Sequence, residues 1–445
     1  MRSLFLITLV ASASFAQGRF DRTNQRTDQG RSKRGFLGGG SLAYFELAPV
    51  SGRGMGAACA CAAVTGAKGE AMTFTRAGDA TCSKQGLATT GIANGDLVVC
   101  TANQPRVESS GGVLGLRVEG ARTNETLRSS AINNAAYVDT TAGGAAAPTL
   151  NGADATTAPD GTTTAEDYTF PATTAAQGSF RLGPTIAVVC NAQVCSHSYF
   201  VKGVSGSGTM DVCSWDTATP TCQACAFVDT SWSRCTITTT EGGNVAIAIG
   251  NGSIYNGGTA RSSNRIYVWG AQSEVGAYAT SYIPTVAAAV TRNAEAAYFS
   301  RSIATTAGVC SAATHEVPST TGYSAGSGLW APLLSSLSGS AGSPYLWPYT
   351  AGAGTGLAID GTGSSGAPSG WAPGTSSTST FARYVAGHNG TAWTICKDAV
   401  CSSNGVASAW SSPTYPFIKF DVTTVTPVVI WTRVQVDPTF SRCTR

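Results

Sequence analysis

Lysine occurs 6 times in 445 residues and glutamate 10 times, so the residues that usually coat helices are scarce. No segment of about twelve residues or more keeps a helical period, which argues against a helical bundle. Histidine occurs only 3 times, as His197, His315 and His388, leaving little for zinc or imidazole chemistry. Beyond the first residues no apolar run approaches the roughly 20 residues that a membrane helix needs. The formal net charge is +3 and shows no broad basic face, so composition offers no footprint for nucleic acid.

What is abundant points to strands and turns. Glycine reaches 53 residues, and threonine, serine, valine and alanine fill the spaces between. The opening "MRSLFLITLVASASFAQ" has a basic Arg2, an apolar stretch and small residues before Ala16, and reads as a secretory signal over 1–16. Residues 17–40 carry Arg19, Arg22, Arg26, Arg31, Lys33 and Arg34 and end in a glycine run, the pattern of a solvated, disordered basic arm.

The chain has 14 cysteines, and in an exported protein these imply disulfides. Even groups of them suggest bridges kept within modules. A small Cys-rich segment over 41–110 holds Cys59, Cys61, Cys82 and Cys100, with the last two as the expected partners of the first two. Short β-type runs then follow through 111–298, among them "TIAVVC", "NVAIAIG" and "RIYVWGA", separated by Asn-Gly and Gly-Gly turns. A second set occupies 299–445 and holds six of the 9 tryptophans. The expected fold is all-β, a jelly-roll β-sandwich followed by a second β-sandwich. In "TAWTICKDAVCSS" a hairpin would bring Cys396 and Cys401 together, and Cys190 and Cys195 repeat that spacing. Cys310 with Cys443 would clamp the ends of the last module, closing the loop that restricts the unfolded chain most.

Motifs for catalysis fail on context. "GYSAG" around Ser324 lacks the strand before it and the helix after it that a nucleophile elbow requires. "GTGSSG" at 361–366 is followed by Pro368 and Pro373, which forbid a phosphate-binding helix. Cys222 and Cys225 form a lone CxxC with no second ligand pair, so disulfide bonding is expected there. Glu119, Glu125, Glu274 and Asp216 are the nominees for a hydrolase carboxylate pair, but spacing along strands cannot set their separation. Carboxylates at strand ends could instead hold a structural Ca²⁺.

The aromatic residues are the remaining signal, because sugars lay their apolar faces on tryptophan and tyrosine. Trp347 and Trp371, set among Pro and Gly, are the expected ligand-binding positions on loops. Trp269, Trp393 and Trp431 alternate as in strands and are expected in the core.

"MTFTRAGDAT" (72–81), "GLRVEGARTN" (115–124), "SYFVKG" (198–203) and "YVWGAQSEVGAYATSYIPTVAAAVTR" (267–292) resemble a module of phage tail-fibre and virion-associated proteins that also occurs in bacterial surface proteins. That module is similar to a carbohydrate-binding-module-type jelly roll whose last strand returns beside its first. The segment from "ARYVAGHNG" to "VVIWTRVQV" is similar to laminin-G-like, concanavalin A-like sandwiches. The resemblance implies glycan binding or a structural role in a fibre, and supplies no catalytic residue. The sequence thus reads as an exported, non-enzymatic protein that binds polysaccharide or a surface glycan, without nucleic acid or membrane insertion. A structural or adhesive protein that self-assembles is the second reading, and a glycan hydrolase or lyase the third.

Overall fold

The computed structural model describes residues 73–299 except 85–88, 111–112, 185–189, 191–192, 217–219, 241–242, 244 and 277, with the backbone alone at 73, 109–110, 113–115, 297–299 and in the strands named below outside 73–299. The expected signal at 1–16 and arm at 17–40 lie outside the described residues. The described chain is all-β, and its one helix is the 3₁₀ turn Ser253–Tyr255.

Two five-stranded antiparallel sheets form a sandwich. One runs Thr149–Thr156, Ala165–Phe170, Asn264–Val275, Val194–Gly203 and Ser233–Thr240, in spatial order. The other runs Thr221–Phe227, Gly208–Asp216, Val245–Asn251, Gly178–Leu182 and Val138–Ala142. Strand Ser233–Thr240 shows why the sequence folds this way: Ser233, Cys235 and Ile237 are buried while the residues between them are less so, a period of two. Tyr168, Tyr199, Ile237 and Val268 of the first sheet meet Met210, Val212, Ile247 and Ile249 of the second in one core.

Disulfides close one edge of this sandwich. Cys213 and Cys222 join neighbouring strands at directly opposed positions, and Cys225 reaches Cys235 in the other sheet. The CxxC cysteines therefore take separate partners. Cys190 bonds Cys195 at the start of the 194–203 strand. Cys82 and Cys100 are also disulfide-bonded and fully buried; Cys59, together with the sulfur of Cys61, lies outside the described residues.

The remaining strands pair over long distances. A seven-stranded sheet runs Gly370–Ala372, Gly354–Asp360, Tyr345–Ala351, Leu334–Ser335, Ile418–Phe420, Ala296–Phe299 and Thr73–Thr75. A nine-stranded sheet joins Ala60–Cys61, Arg106–Ser110 and Val113–Val118 to Val428–Asp437, with Ala43–Glu46 also on that last strand, and continues through Gly308–Glu316, Phe381–His388, Trp393–Lys397 and Val400–Asn404. Strand pairing thus runs across the expected boundaries at 110/111 and 298/299. The sandwich of two five-stranded sheets lies, in chain order, between two halves of these outer sheets. Local pattern carries no information about such pairing, because Val118 and Val429, for example, stand some three hundred residues apart.

In the 393–404 hairpin Cys396 stands directly opposite Cys401. Their sulfurs, and Cys443, lie outside the described residues; Cys310 pairs by backbone with Gln435.

Candidate functional site

The stretch from Trp269 to Pro284 is a packing seam. Gly270 has φ +69° at a register shift between strands 194–203 and 264–275, and a Cβ there would fall 2.7 Å from the Phe200 ring. Trp269 alternates with Val268, which faces the inter-sheet core, and so enters a second cluster, while the bulge after it brings Ala271 back to the core. In that second cluster Trp269 packs 4.5 Å from Tyr282 and 5.5 Å from Phe200, ring centre to ring centre, and donates from Nε1 to Thr164. The strand also returns beside Arg122–Asn124, where Asn124 donates to the Ala271 carbonyl. The earlier part of the segment 115–124 resembling a jelly-roll first strand belongs instead to strand Val113–Val118, which pairs with Val428–Asp437.

Where the chain enters and leaves the inner sandwich, a buried ionic network forms. Arg106 donates to both Glu295 and Glu119, Arg117 bridges Glu108 and Glu119, and Arg76 and Arg292 complete it. These side chains are at most 3% exposed. Burial alone would raise the Glu119 carboxyl, but Arg117, Arg292 and Arg106 outweigh it and hold it well below the carboxylate range. Glu119 is therefore a structural anion, and the nomination of it as a catalytic acid is not supported by its surroundings. Glu274 is fully buried and accepts from the Thr280 backbone and hydroxyl. Glu125 is half-buried, which raises its carboxyl, and Asp216 ends a strand opposite Val245. Among the described residues no group of three or more His, Cys, Asp or Glu side chains is arranged to hold a metal.

Two further polar groups are buried. His197 sits between the Ser273 and Ser214 hydroxyls at 2.9 and 3.3 Å, and Thr126 donates to Ser273. With Ser273 donating to Nδ1, Nε2–H is left for Ser214, and the neutral ring is satisfied on both nitrogens. Burial pulls its pKa down to about 4. Glu166, 1% exposed, accepts from the Asp154 backbone, and burial pushes its pKa up to about 7.

Aromatic residues gather in two places. On strand 208–216 Met210 and Val212 face the inter-sheet core, so Cys213 and Trp215 take the outer face. There Trp215 and Tyr255 cover the fully buried Phe180, with ring centres 5.0 to 5.9 Å apart. The loop bearing Tyr255 is tied down by Asp211, which accepts from Gly252 N–H, Asn256 and Arg261. Sequence reading missed this cluster because its members are some forty residues apart on separate elements.

The second place is the seven-stranded sheet. Trp347 and Trp371 lie in strands Tyr345–Ala351 and Gly370–Ala372, which corrects their expected placement on loops: proline and glycine here flank or interrupt strands. Both stand directly opposite Ala358, one on each side. Residues directly opposed across an antiparallel pair share a face. Tyr345, Trp347 and Tyr349 therefore share a face with Asp360, Ala358 and Gly356 of the next strand and with Trp371 beyond. The other face carries Leu346, Pro348, Leu357 and Ile359.

Register identifies the first of these faces. Tyr345 pairs with Ser335, Ser335 with Lys419, Lys419 with Tyr298, and Tyr298 with Thr73. Thr73 shares its face with Thr75, which is exposed, while Phe74 on the opposite face is buried at 8%. Trp347 and Trp371 are thus on the face of the sheet that is solvent-accessible at Thr75. The alternation Tyr-x-Trp-x-Tyr followed by Gly-x-Gly-x-Ala was the available signal, and it becomes a site only when the two strands are paired.

No family model matches the chain, and no curated protein matches it. Eight chains of solved structures match. One is the N-terminal CBM22-1–CBM22-2 tandem domain from Paenibacillus barcinonensis Xyn10C, with 10% identity over 68% of this chain and 93% of that one, at a TM-score of 0.22. A likeness at that level carries no functional argument.

Proposed function

We propose that this protein binds polysaccharide through the sheet face that carries Trp347, Ala358 and Trp371, and that it acts as an exported, non-enzymatic binding protein. The observation that carries this reading is the register itself, two tryptophans on one face with a single alanine position between them. Indoles offer the flat apolar area on which a sugar ring stacks, and a small residue between them leaves the row open. The three disulfides with both partners described fit an oxidising compartment. The resemblance of the inner sandwich to tail-fibre jelly rolls, and of the last segment to laminin-G-like sandwiches, supports the same class of ligand.

A glycan screen of the purified chain, followed by titration of Trp347→Ala and Trp371→Ala, tests this. Each substitution is expected to weaken binding by about ten-fold, ~1.4 kcal/mol, with the unfolding midpoint unchanged. Full binding by the double variant would overturn the assignment.

A further inference from the structure

We infer that the ligand is a single, extended, neutral chain of β-linked pyranoses that crosses the strands, with every second ring at a tryptophan position. The inference rests on the reading above and adds three constraints from the sheet.

The first is spacing. Trp347 and Trp371 are two strands apart in one register row, and neighbouring strands are about 4.8 Å apart, so the positions are separated by roughly 9.5 Å. In an extended β-1,4-linked chain each ring is turned over relative to the last. Rings one and three present the same face, and their separation is the length of one disaccharide repeat. Ring two then falls at Ala358, where a stacking residue is neither present nor needed. An α-1,4-linked chain coils, and its rings do not stay in line with such a row.

Twist gives the second constraint. Successive strands rotate by roughly 20 to 25°, so the two tryptophan positions are turned by about 40 to 50° relative to each other. A single chain follows that turn through its glycosidic torsions. A flat crystalline face of many chains does not.

Charge is the third. The row next along the same face reads Lys419, Ser335, Tyr345 and Asp360, one cation and one anion. A row of that kind favours a neutral polymer over a polyuronate.

Calorimetric titration of the full chain with cello-, xylo- and manno-oligosaccharides of two, three and six rings, with maltohexaose alongside, tests the inference. Three rings are the fewest that occupy both tryptophan positions. At least one β-linked series should therefore gain about ten-fold in affinity between two and three rings and little more thereafter. Trp347→Ala and Trp371→Ala should each abolish that step. Ala358→Gln, which adds bulk under the middle ring, should weaken three-ring binding and spare two-ring binding; thermal unfolding of each variant checks that it is folded. Maltohexaose binding equal to the best β-linked hexamer, or tryptophan-dependent binding with no step at three rings, would overturn the inference and leave the polysaccharide reading standing. Crystalline cellulose bound more tightly than any soluble hexamer would overturn the single-chain assignment. Binding of no glycan in the screen would overturn both.

Discussion

The two aromatic groups of this protein are built on opposite plans. On the inner sandwich Phe180, Trp215 and Tyr255 are neighbours of one another, and the loop that carries Tyr255 is tied by Asp211 to the sheet beneath. On the seven-stranded sheet Trp347 and Trp371 are held apart by the width of one strand with an alanine in it. Rings that cover each other have spent their apolar area on the fold. On the proposed reading, tryptophans placed at alternate strands with a small residue between them keep theirs for a ligand. Aromatic content alone does not distinguish the two; the identity of the residue between the rings does.

That contrast requires the inner sandwich to support the outer sheets and not to bind, and its strongest test is the network at the junction. Glu119 answers three arginines, and removing its charge takes the ion-pair partner from buried Arg292 and leaves Arg106 and Arg117 with one carboxylate each. Glu119→Gln is expected to destabilise the protein by about 3–5 kcal/mol in denaturant unfolding. Under conditions where this variant is folded, glycan affinity should stay within about two-fold of wild type, well under the ~1.4 kcal/mol of a ten-fold change. A larger loss would place the binding site at the junction. A smaller effect is expected on the outer face of the inner sandwich. Trp215 is half-buried, and Trp215→Ala should cost about 2 kcal/mol through lost packing on Phe180 and Tyr255, again without loss of binding. Binding lost with stability intact would invert the comparison and make this cluster the ligand platform.

Much of the inner sandwich was legible in the sequence. The β-type runs "NVAIAIG" and "RIYVWGA", the cysteine spacing at 190 and 195 and the strand-like position of Trp269 each express a local rule, and the strands, the disulfide and the buried ring appear where that rule puts them. The outer sheets were legible as strands and not as partners. The jelly-roll resemblance makes "GLRVEGARTN" (115–124) the first strand, yet Val113–Val118, which takes in its first residues, pairs with Val428–Asp437. The candidate site failed in the same way: Trp347 and Trp371 were identifiable as residues, while Ala358, which makes them a row, became visible only through register. The arginine and glutamate network left no readable trace, since no property of "GLRVEGA" or "VTRNAEAA" alone says that their charges meet.

The last expected effect is a pH dependence that wild type conceals. His197 has its pKa lowered from 6.5 to about 4, so the unfolded chain takes up its proton first as pH falls. Its contribution to stability is complete above pH 6.5 and is lost as pH drops toward 4. Glu166 has its pKa raised from 4.5 to about 7, so here the folded protein holds the proton that the unfolded chain has released. Its contribution is complete below pH 4.5 and is lost as pH rises toward 7. Between pH 4.5 and 6.5 the two slopes oppose each other, and as far as these two groups decide it, wild-type stability should be nearly level there. His197→Gln should expose a fall in stability with rising pH across pH 4.5 to 7, and Glu166→Gln a rise across pH 4 to 6.5, both measurable by urea unfolding at closely spaced pH values. Because both groups belong to the inner sandwich, neither substitution should alter the pH profile of glycan binding; a shift in that profile would connect the two regions that the aromatic plans set apart.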